Sequence, residues 1–500
     1  MSKPNILYVF ADQLRYSGLA CNGNALVRTP NFDRLAHEGV VFDQAFAACP
    51  LCSPYRGQLI TGRYSHSNGV VCNEYRLFDN QTTIAHALKR AGYKTAHIGK
   101  WHLGHPPYTE NKRYGFHDLY AYNSMDDHYQ ISYWRNEEGP LRMVEFGPRV
   151  EMQLALDYIH QLRRQAPEQP WCLFLSWQPP HWSFVNSQRD YGAYPQQYNL
   201  YDPQQVDVPG NVPRQFRDFA RREIADYYGM VTALDACMGR ILAALDEWGL
   251  AEDTILCFSS DHGDHLSAHG YGKPGPGDAW MHPSLGASKG TPYEESIHVP
   301  FILRYPARVR GCRRTDTLFN SVDVLPTLLG LCEVPIPADV QGRDLSYAVL
   351  GLPGEEPDSV YLQMLGPGWP TRREWTGLWR GLRTHSYAYA RWKVPGERRV
   401  LYDREADPLE MRNVVDDPAY AHIAAQMEGR LQAWMQVTQD PFDTGARLPV
   451  TGMLDLGQAF STVRWHEHAP REYVAAIEKN HLNFKTGEPP GAPSQGWTHG

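Results

Sequence analysis

Asn5-Ile-Leu-Tyr-Val-Phe10-Ala11-Asp12 is the stretch on which the fold turns: an apolar run of strand length that ends on a carboxylate. A short, continuously apolar run bounded by polar residues predicts a strand covered on both faces. Thr254–Ser259 repeats the pattern and runs into Ser260-Asp261. Between them, Tyr93–Ile98 runs into Gly99, Trp171–Trp177 is another apolar run, and Val299–Leu303 follows later. Helical signals alternate with these strands. Thr29-Pro30 supplies an N-cap and a first-turn proline for a helix stopped by Gly39, and Thr83 caps Ile84–Ala91 before Gly92. Within Phe219–Glu247, residues Ile224, Tyr228, Val231, Leu234, Met238, Ile241 and Leu245 fall near one helical face. Strands alternating with helices predict an α/β fold: a large, mostly parallel or mixed sheet sandwiched by helices. Ligands of such sheets bind beyond the carboxyl ends of the strands, where Asp12 and Asp261 both lie.

The pattern changes after about residue 355. Gly- and Pro-rich stretches lead to alternating polar and apolar residues over Trp379–Lys393. A turn at Pro395-Gly396-Glu397, a strand at Arg399–Tyr402 and a helix within Ala419–Thr438 are expected next. The chain therefore divides into a large domain over 1–370 and a smaller α+β domain with an antiparallel sheet over 371–500. Glu488–Gly500 reads as a tail or irregular wrap. A chain of 500 residues exceeds what one core usually organises.

A formal net charge of −8, with both signs interspersed, gives no support to a nucleic-acid or membrane partner. No run reads as long enough to cross a bilayer, and the start lacks the pattern of a secretory leader. The expectation is a cytoplasmic protein, or a periplasmic or secreted one if a leader has been removed. The nine cysteines are odd in number and scattered, against a disulfide framework. Cys172, Cys237 and Cys257 sit in apolar runs and read as buried thiols.

Cys52 differs. It heads Cys52-Ser53-Pro54-Tyr55-Arg56-Gly57-Gln58-Leu59-Ile60-Thr61-Gly62-Arg63, which reads as a thiol in a Pro-containing turn with a guanidinium nearby to hold an anion. This stretch resembles the sulfatase signature Cys-x-Pro-x-Arg followed by Leu-x-Thr-Gly. Asp12-Gln13, Gly99-Lys100-Trp101-His102-Leu103-Gly104, Pro179-Pro180-His181, Ser260-Asp261-His262-Gly263 and Lys289-Gly290-Thr291-Pro292-Tyr293-Glu294-Glu295-Ser296 resemble further blocks of that family, in the family's order. Leu401-Tyr402-Asp403, continuing to Glu410-Met411-Arg412-Asn413, resembles its usual ending.

The resemblance implies hydrolysis of sulfate monoesters within the alkaline-phosphatase-like superfamily. It implies that a formylglycine-generating enzyme oxidises Cys52 to formylglycine, an aldehyde that hydrates to a diol. It also implies a divalent metal held by Asp12, Gln13, Cys52, Asp261 and His262. Calcium is the usual ion, and the imidazole of His262 admits manganese, with magnesium also open. One diol hydroxyl would attack sulfur with help from Asp261, while Arg56 steadies the diol. His181, with Lys289, would protonate the leaving alcohol, and His102 would deprotonate the second hydroxyl to release sulfate. Lys100 and Lys289 suit the sulfate oxygens. Lys100 and His102 are two apart, so an extended segment would aim both side chains to one side.

Three other readings stand beside this one. The same ligand set occurs in hydrolases of phosphonate monoesters and phosphodiesters, although Lys100 and His102 argue against that chemistry. A non-catalytic binder of sulfated ligands would keep the fold, and an unmodified Cys52 would leave the protein nearly inactive. Candidate substrate loops are Asn73-Glu74, Asp126–Arg135, Trp182–Asn186 and Trp369–Arg373, whose polar and aromatic mix suits a carbohydrate or aryl sulfate. His265 and His269 have the helical i, i+4 spacing of a zinc pair but lack its glutamate, which favours a surface or substrate-loop role. Asp264 and His282 are possible pocket residues.

Overall fold

The computed structural model describes residues 3–124, 127–181, 200–270, 288–366, 379–392 and 399–444. The turn at Pro395-Gly396-Glu397, the loops Trp182–Asn186 and Trp369–Arg373, His282 and the tail from Glu488 lie outside the described residues.

Ten strands form the large sheet. In chain order the strands are β1 (Asn5–Asp12), β2 (Val40–Phe42), β3 (Ala45–Phe46), β4 (Lys94–Lys100), β5 (Asp118–Tyr122), β6 (Ile131–Arg135), β7 (Glu138–Met143), β8 (Trp171–Pro180), β9 (Thr254–Ser260), β10 (Phe301–Arg304), β11 (Arg313–Thr315) and β12 (Phe319–Asn320). The sheet order is β11-β2-β10-β9-β1-β8-β4-β5-β6-β7, while β3 and β12 pair separately. The central run from β9 to β5 is parallel. The flanks are mixed: β10 runs antiparallel to β9, and β6 and β7 form an antiparallel edge.

The strand period of two divides β1 between two cores. Leu7, Val9 and Ala11 pack on the side of the helices Pro30–His37, Gly147–Gln165 and Arg217–Glu247. Ile6, Tyr8 and Phe10 pack on the side of Cys52–Thr61, Ile84–Arg90 and Val324–Leu331. Each fully buried side chain of this kind is worth about 1.5–3 kcal/mol, which is why the strand reads as continuously apolar.

Several local expectations change. Thr29 precedes the first helix, but its Oγ1 accepts from Ala20 N–H. The capping acceptor is Asp235 of the long helix, whose Oδ1 takes the N–H groups of Asn31 and Phe32 at 2.9 and 2.8 Å. Thr83 does cap its helix, in a reciprocal box with His86. The Arg217–Glu247 helix, contrary to the expectation that no run is long enough, has the length and apolarity of a membrane span. Its apolar face is taken up by the core, and 72% of that window is buried.

Beyond the large sheet, β13 (Val360–Met364), β14 (Trp379–Arg383), β15 (Tyr387–Trp392) and β16 (Arg399–Asp403) form an antiparallel sheet in chain order. The alternating stretch from Trp379 is thus two strands, turned at Thr384, whose N–H bonds Tyr387 O. β13 comes from the N-terminal side of the 370/371 boundary. The Ala421–Thr438 helix packs Met427, Leu431 and Met435 into this sheet's core with Leu382, Tyr389 and Leu401.

Candidate active site

Adjacent parallel strands deliver the charged residues to one place. β1 ends in Asp12, β9 is followed by Asp261, β8 by His181, and β4 ends in Lys100. The strand ladder continues past the regular pairing, since Asp261 N bonds Ala11 O and His181 N bonds Asp12 O. Asp12 is therefore flanked on both sides by site residues.

Cys52 reaches this point from the other layer. It is the first residue of the Cys52–Thr61 helix and does not lie in a turn. Pro54 falls in the first helical turn, where its missing N–H costs nothing. Leu51 precedes the helix without a side-chain cap, so the helix presents its positive end at Cys52. Cys52 Sγ lies 3.3 Å from His262 Nε2, 3.3 Å from Lys289 Nζ and 3.7 Å from Asp12 Oδ1. One turn along, Arg56 projects from the same helical face. Its guanidinium donates to Asp12 Oδ2 and Asp261 Oδ2 at 3.1 Å each, to Ser176 Oγ at 2.7 Å and to Lys100 O.

The electrostatics follow from burial against concentrated positive charge. Burial opposes ionisation of Asp12, but Lys100, His181, Lys289 and Arg56 together hold its carboxyl well below the usual range. Lys100 Nζ donates to Asp12 Oδ2 at 2.7 Å. Asp261 moves the other way, raised by burial and by the charge of Asp12. One carboxylate of the pair is thus firmly ionised and its neighbour is more basic. Burial and Asp12 push the Cys52 thiol up, yet Lys289, Lys100 and His262 bring it well below the ordinary thiol value. Asp12, Cys52, Asp261 and His262 are all buried and offer ligand atoms within 4.8 Å of one another. Two carboxylates, a thiol and an imidazole so arranged can hold a divalent cation.

Gln13 follows Asp12 in the left-handed region, with φ 73°. Its N–H bonds Asp261 Oδ1, and its Oε1 accepts from Lys289 Nζ at 2.8 Å. The amide oxygen thus shares the Lys289 ammonium with Cys52 Sγ.

His102 arrives differently from the expectation. It lies past the end of β4 with φ 53°, so strand alternation does not relate it to Lys100. Its Nε2 meets Glu74 Oε1 at 3.0 Å, and Glu74 Oε2 lies 3.2 Å from His105 Nε2 and 3.3 Å from Asn123 Nδ2. Burial lowers the basicity of His102, but Cys52 and Glu74 raise it overall. Glu74 stood out in sequence only as a candidate substrate-loop residue. The structure shows it as a buried carboxylate that meets a site histidine 28 positions away.

Asp12, Gln13, Cys52, Arg56, Lys100, His102, His181, Asp261, His262 and Lys289 thus lie in or beside one cluster. His265 and His269 do not join it. Leu266, Ser267 and His269 all have positive φ, so the helical spacing has no helix beneath it. His265 is buried against Thr291 Oγ1 at 2.7 Å, and His269 stacks on Tyr293. A second grouping, His269 with Glu295 and Glu410, also has the spacing of cation ligands. Asn211 donates to Glu295, and Arg404 lies 3.6 Å from Glu410.

What gathers at the strand ends is a set of side chains that could hold a cation and three positive side chains around one nucleophilic position, the equipment of a hydrolase of anionic esters. The comparisons with known proteins give that class its family. The sulfatase family model matches residues 4–334, and the model described as N-sulphoglucosamine sulphohydrolase, C-terminal, matches 288–437. An ulvan-active sulfatase of Formosa agariphila is 31% identical over 453 residues, spanning 88% of this chain and 83% of the relative. An N-acetylglucosamine-6-O-sulfatase of Bacteroides thetaiotaomicron is 26% identical, spanning 84% of each chain. The solved structure of yidJ from Bacteroides fragilis superposes with a TM-score of 0.76 at 29% identity, covering 89% of this chain and 98% of that one. The chain belongs to the sulfatase family, and its reaction is the hydrolysis of sulfate esters.

Proposed function

We propose that the protein removes sulfate from a sulfated carbohydrate, using a formylglycine made from Cys52 by a separate maturation enzyme. The observation that carries this reading is Cys52 Sγ at a helix N-terminus, within 3.3 Å of both Lys289 Nζ and His262 Nε2. A hydrated aldehyde at this position would have its hydroxyls among the same groups. The carbohydrate assignment is supported by the name of the N-acetylglucosamine-6-O-sulfatase relative.

Asp12, Gln13, Asp261 and His262, with residue 52, would hold a divalent cation. Bound there, the ion supplies positive charge and Lewis acidity to the nucleophile and the sulfate oxygens. We assign it as Ca2+, with Mn2+ and Mg2+ as the alternatives to test. Lys100 and Lys289 hold the sulfate oxygens. Asp261, made basic by burial and by Asp12, takes the proton of one diol hydroxyl as that oxygen attacks sulfur. The bond from sulfur to the substrate oxygen breaks, and His181 protonates the departing alcohol. His102, its basicity raised by Glu74, then takes the proton of the second hydroxyl. The bond between residue 52 and the sulfate oxygen breaks, sulfate leaves and the aldehyde re-forms. Arg56 fixes Asp12 and Asp261 relative to residue 52 throughout.

The test compares kcat/KM of the matured enzyme on sulfated monosaccharides and disaccharides, an aryl sulfate and a phenyl phosphonate monoester. The expected order is saccharide sulfate, then aryl sulfate, then phosphonate. Preference for the phosphonate would replace this reading with the phosphonate hydrolase one. No sulfate release from any ester would favour the non-catalytic binder.

A further inference from the structure

The amide at Gln13 poses a problem that a carboxylate would not. A carboxylate offers oxygen to a cation from either end, whereas an amide offers oxygen from one end and N–H donors from the other. The wrong face would set two N–H groups against a cation. The protein must therefore specify which way the Gln13 side chain is turned.

Two acceptors meet the amide nitrogen. Gln13 Nε2 donates to Asp264 Oδ2 at 2.6 Å and to Ser288 Oγ at 2.7 Å. Asp264 is fully buried, and its other oxygen accepts Leu266 N–H at 2.9 Å, so its orientation is fixed by the backbone. Ser288 is tied to the same loop through the bond from His265 N to Ser288 O. On the opposite side Lys289 Nζ, which can only donate, meets Gln13 Oε1 and also Cys52 Sγ. An ionised carboxylate can only accept and an ammonium can only donate, so these neighbours permit one orientation of the amide.

We propose that Asp264, with Ser288, is a positioning residue for the cation site: it pins the Gln13 amide nitrogen and so keeps Oε1 turned toward the cation. The inference rests on the reading of Gln13 as a ligand. It also explains why an amide suits position 13 in this chain. A glutamate there would set a carboxylate oxygen about where Nε2 now lies, 2.6 Å from Asp264 Oδ2, with like charges in contact. If residue 264 were an asparagine, its amide could donate to that glutamate and the preference would reverse.

The experiment is a double-mutant cycle on the full chain. Binding of Ca2+ and of Mn2+ is measured by equilibrium dialysis with elemental analysis for wild type, Q13A, Q13E, D264N, Q13E/D264N and S288A. D264N is expected to weaken cation binding by about 10- to 100-fold, the usual scale for groups that orient metal ligands. S288A, which removes only the neutral acceptor, is expected to weaken it by less. The decisive quantity is the effect of Q13E, expected to be at least roughly 10-fold more favourable to binding in the D264N background than in wild type. The same effect of Q13E in both backgrounds would overturn the positioning role, because a merely structural Asp264 produces no such coupling. Unchanged binding in Q13A would instead overturn the ligand assignment of Gln13, and this inference with it. Cation-dependent thermal shifts of each variant report whether it is folded.

Discussion

Two buried arginines stand in this molecule in opposite circumstances. Arg380, on β14, donates Nε and Nη2 to the two oxygens of Asp440 and Nη1 to the carbonyls of Met364 and Trp379. Asp440 also accepts from Tyr361 OH and Phe442 N–H. Every guanidinium nitrogen and both carboxylate oxygens of that pair have a partner. Arg56 is as deeply buried, but its Nη2 is divided between two carboxylates and its Nε has no hydrogen-bond partner among the described residues. His102 Nδ1 beside Cys52 is likewise unbonded there. Buried charge therefore does not mark a functional site in this fold. Buried charge with unused bonding capacity, focused on one nucleophilic atom, does.

The comparison can be broken at either end. Cys52→Ala removes the proposed nucleophile and is expected to lower kcat by about 10⁴-fold or more while leaving the fold intact. Retained sulfatase activity in that variant would dissolve the distinction. At the other arginine, Asp440→Asn strands a buried guanidinium and is expected to cost about 3–5 kcal/mol of stability. The folded fraction should keep wild-type kcat, which denaturant titration and active-site counting separate. If Lys100 donates to the sulfate oxygens as proposed, Lys100→Met reduces kcat by about 10²–10³-fold with a small change in Tm. Glu74→Gln removes the charge that supports His102 and is expected to lower kcat by about 10- to 100-fold with little change in KM. An equal rise in KM would make Glu74 a substrate-binding residue instead.

A last prediction concerns Glu151, a buried carboxyl bonded to Tyr122 OH whose second oxygen has no hydrogen-bond partner among the described residues. Burial raises it from 4.5 to about 8. The folded state then holds a proton that the unfolded chain releases near pH 4.5, so stability is fully present below that pH and falls as pH rises toward 8. Glu151→Gln removes the titration and should stabilise the protein at pH 8, with no gain at pH 4. Thermal unfolding across that range checks the sign.

Much of the site was legible because chemistry and strand ends coincide. Asp12 and Asp261 each follow an apolar run, and a parallel sheet brings such ends together whatever lies between them in sequence. The position of Cys52 was legible from its motif, but its setting was not. A Pro two residues on suggested a turn, whereas Pro54 sits in a first helical turn that tolerates it. Lys100 and His102 were expected to align by strand alternation, and a positive φ at His102 carries it to the site by another route. Glu74 and Asp264 were hardest to read. Their roles depend on contacts across 28 and 251 residues, which no local pattern encodes. The same limit hid Asp235 as the cap of a helix 203 residues away.

The central claim is that Cys52 is the precursor of the nucleophile. Its most direct test is a mass spectrum of the tryptic peptide Leu35–Arg56 after co-expression with a formylglycine-generating enzyme. The account predicts that the peptide carries an aldehyde at position 52, trapped by a hydrazide, in proportion to sulfatase activity across preparations. A peptide that keeps its thiol in a preparation that hydrolyses sulfate esters at full rate would contradict it.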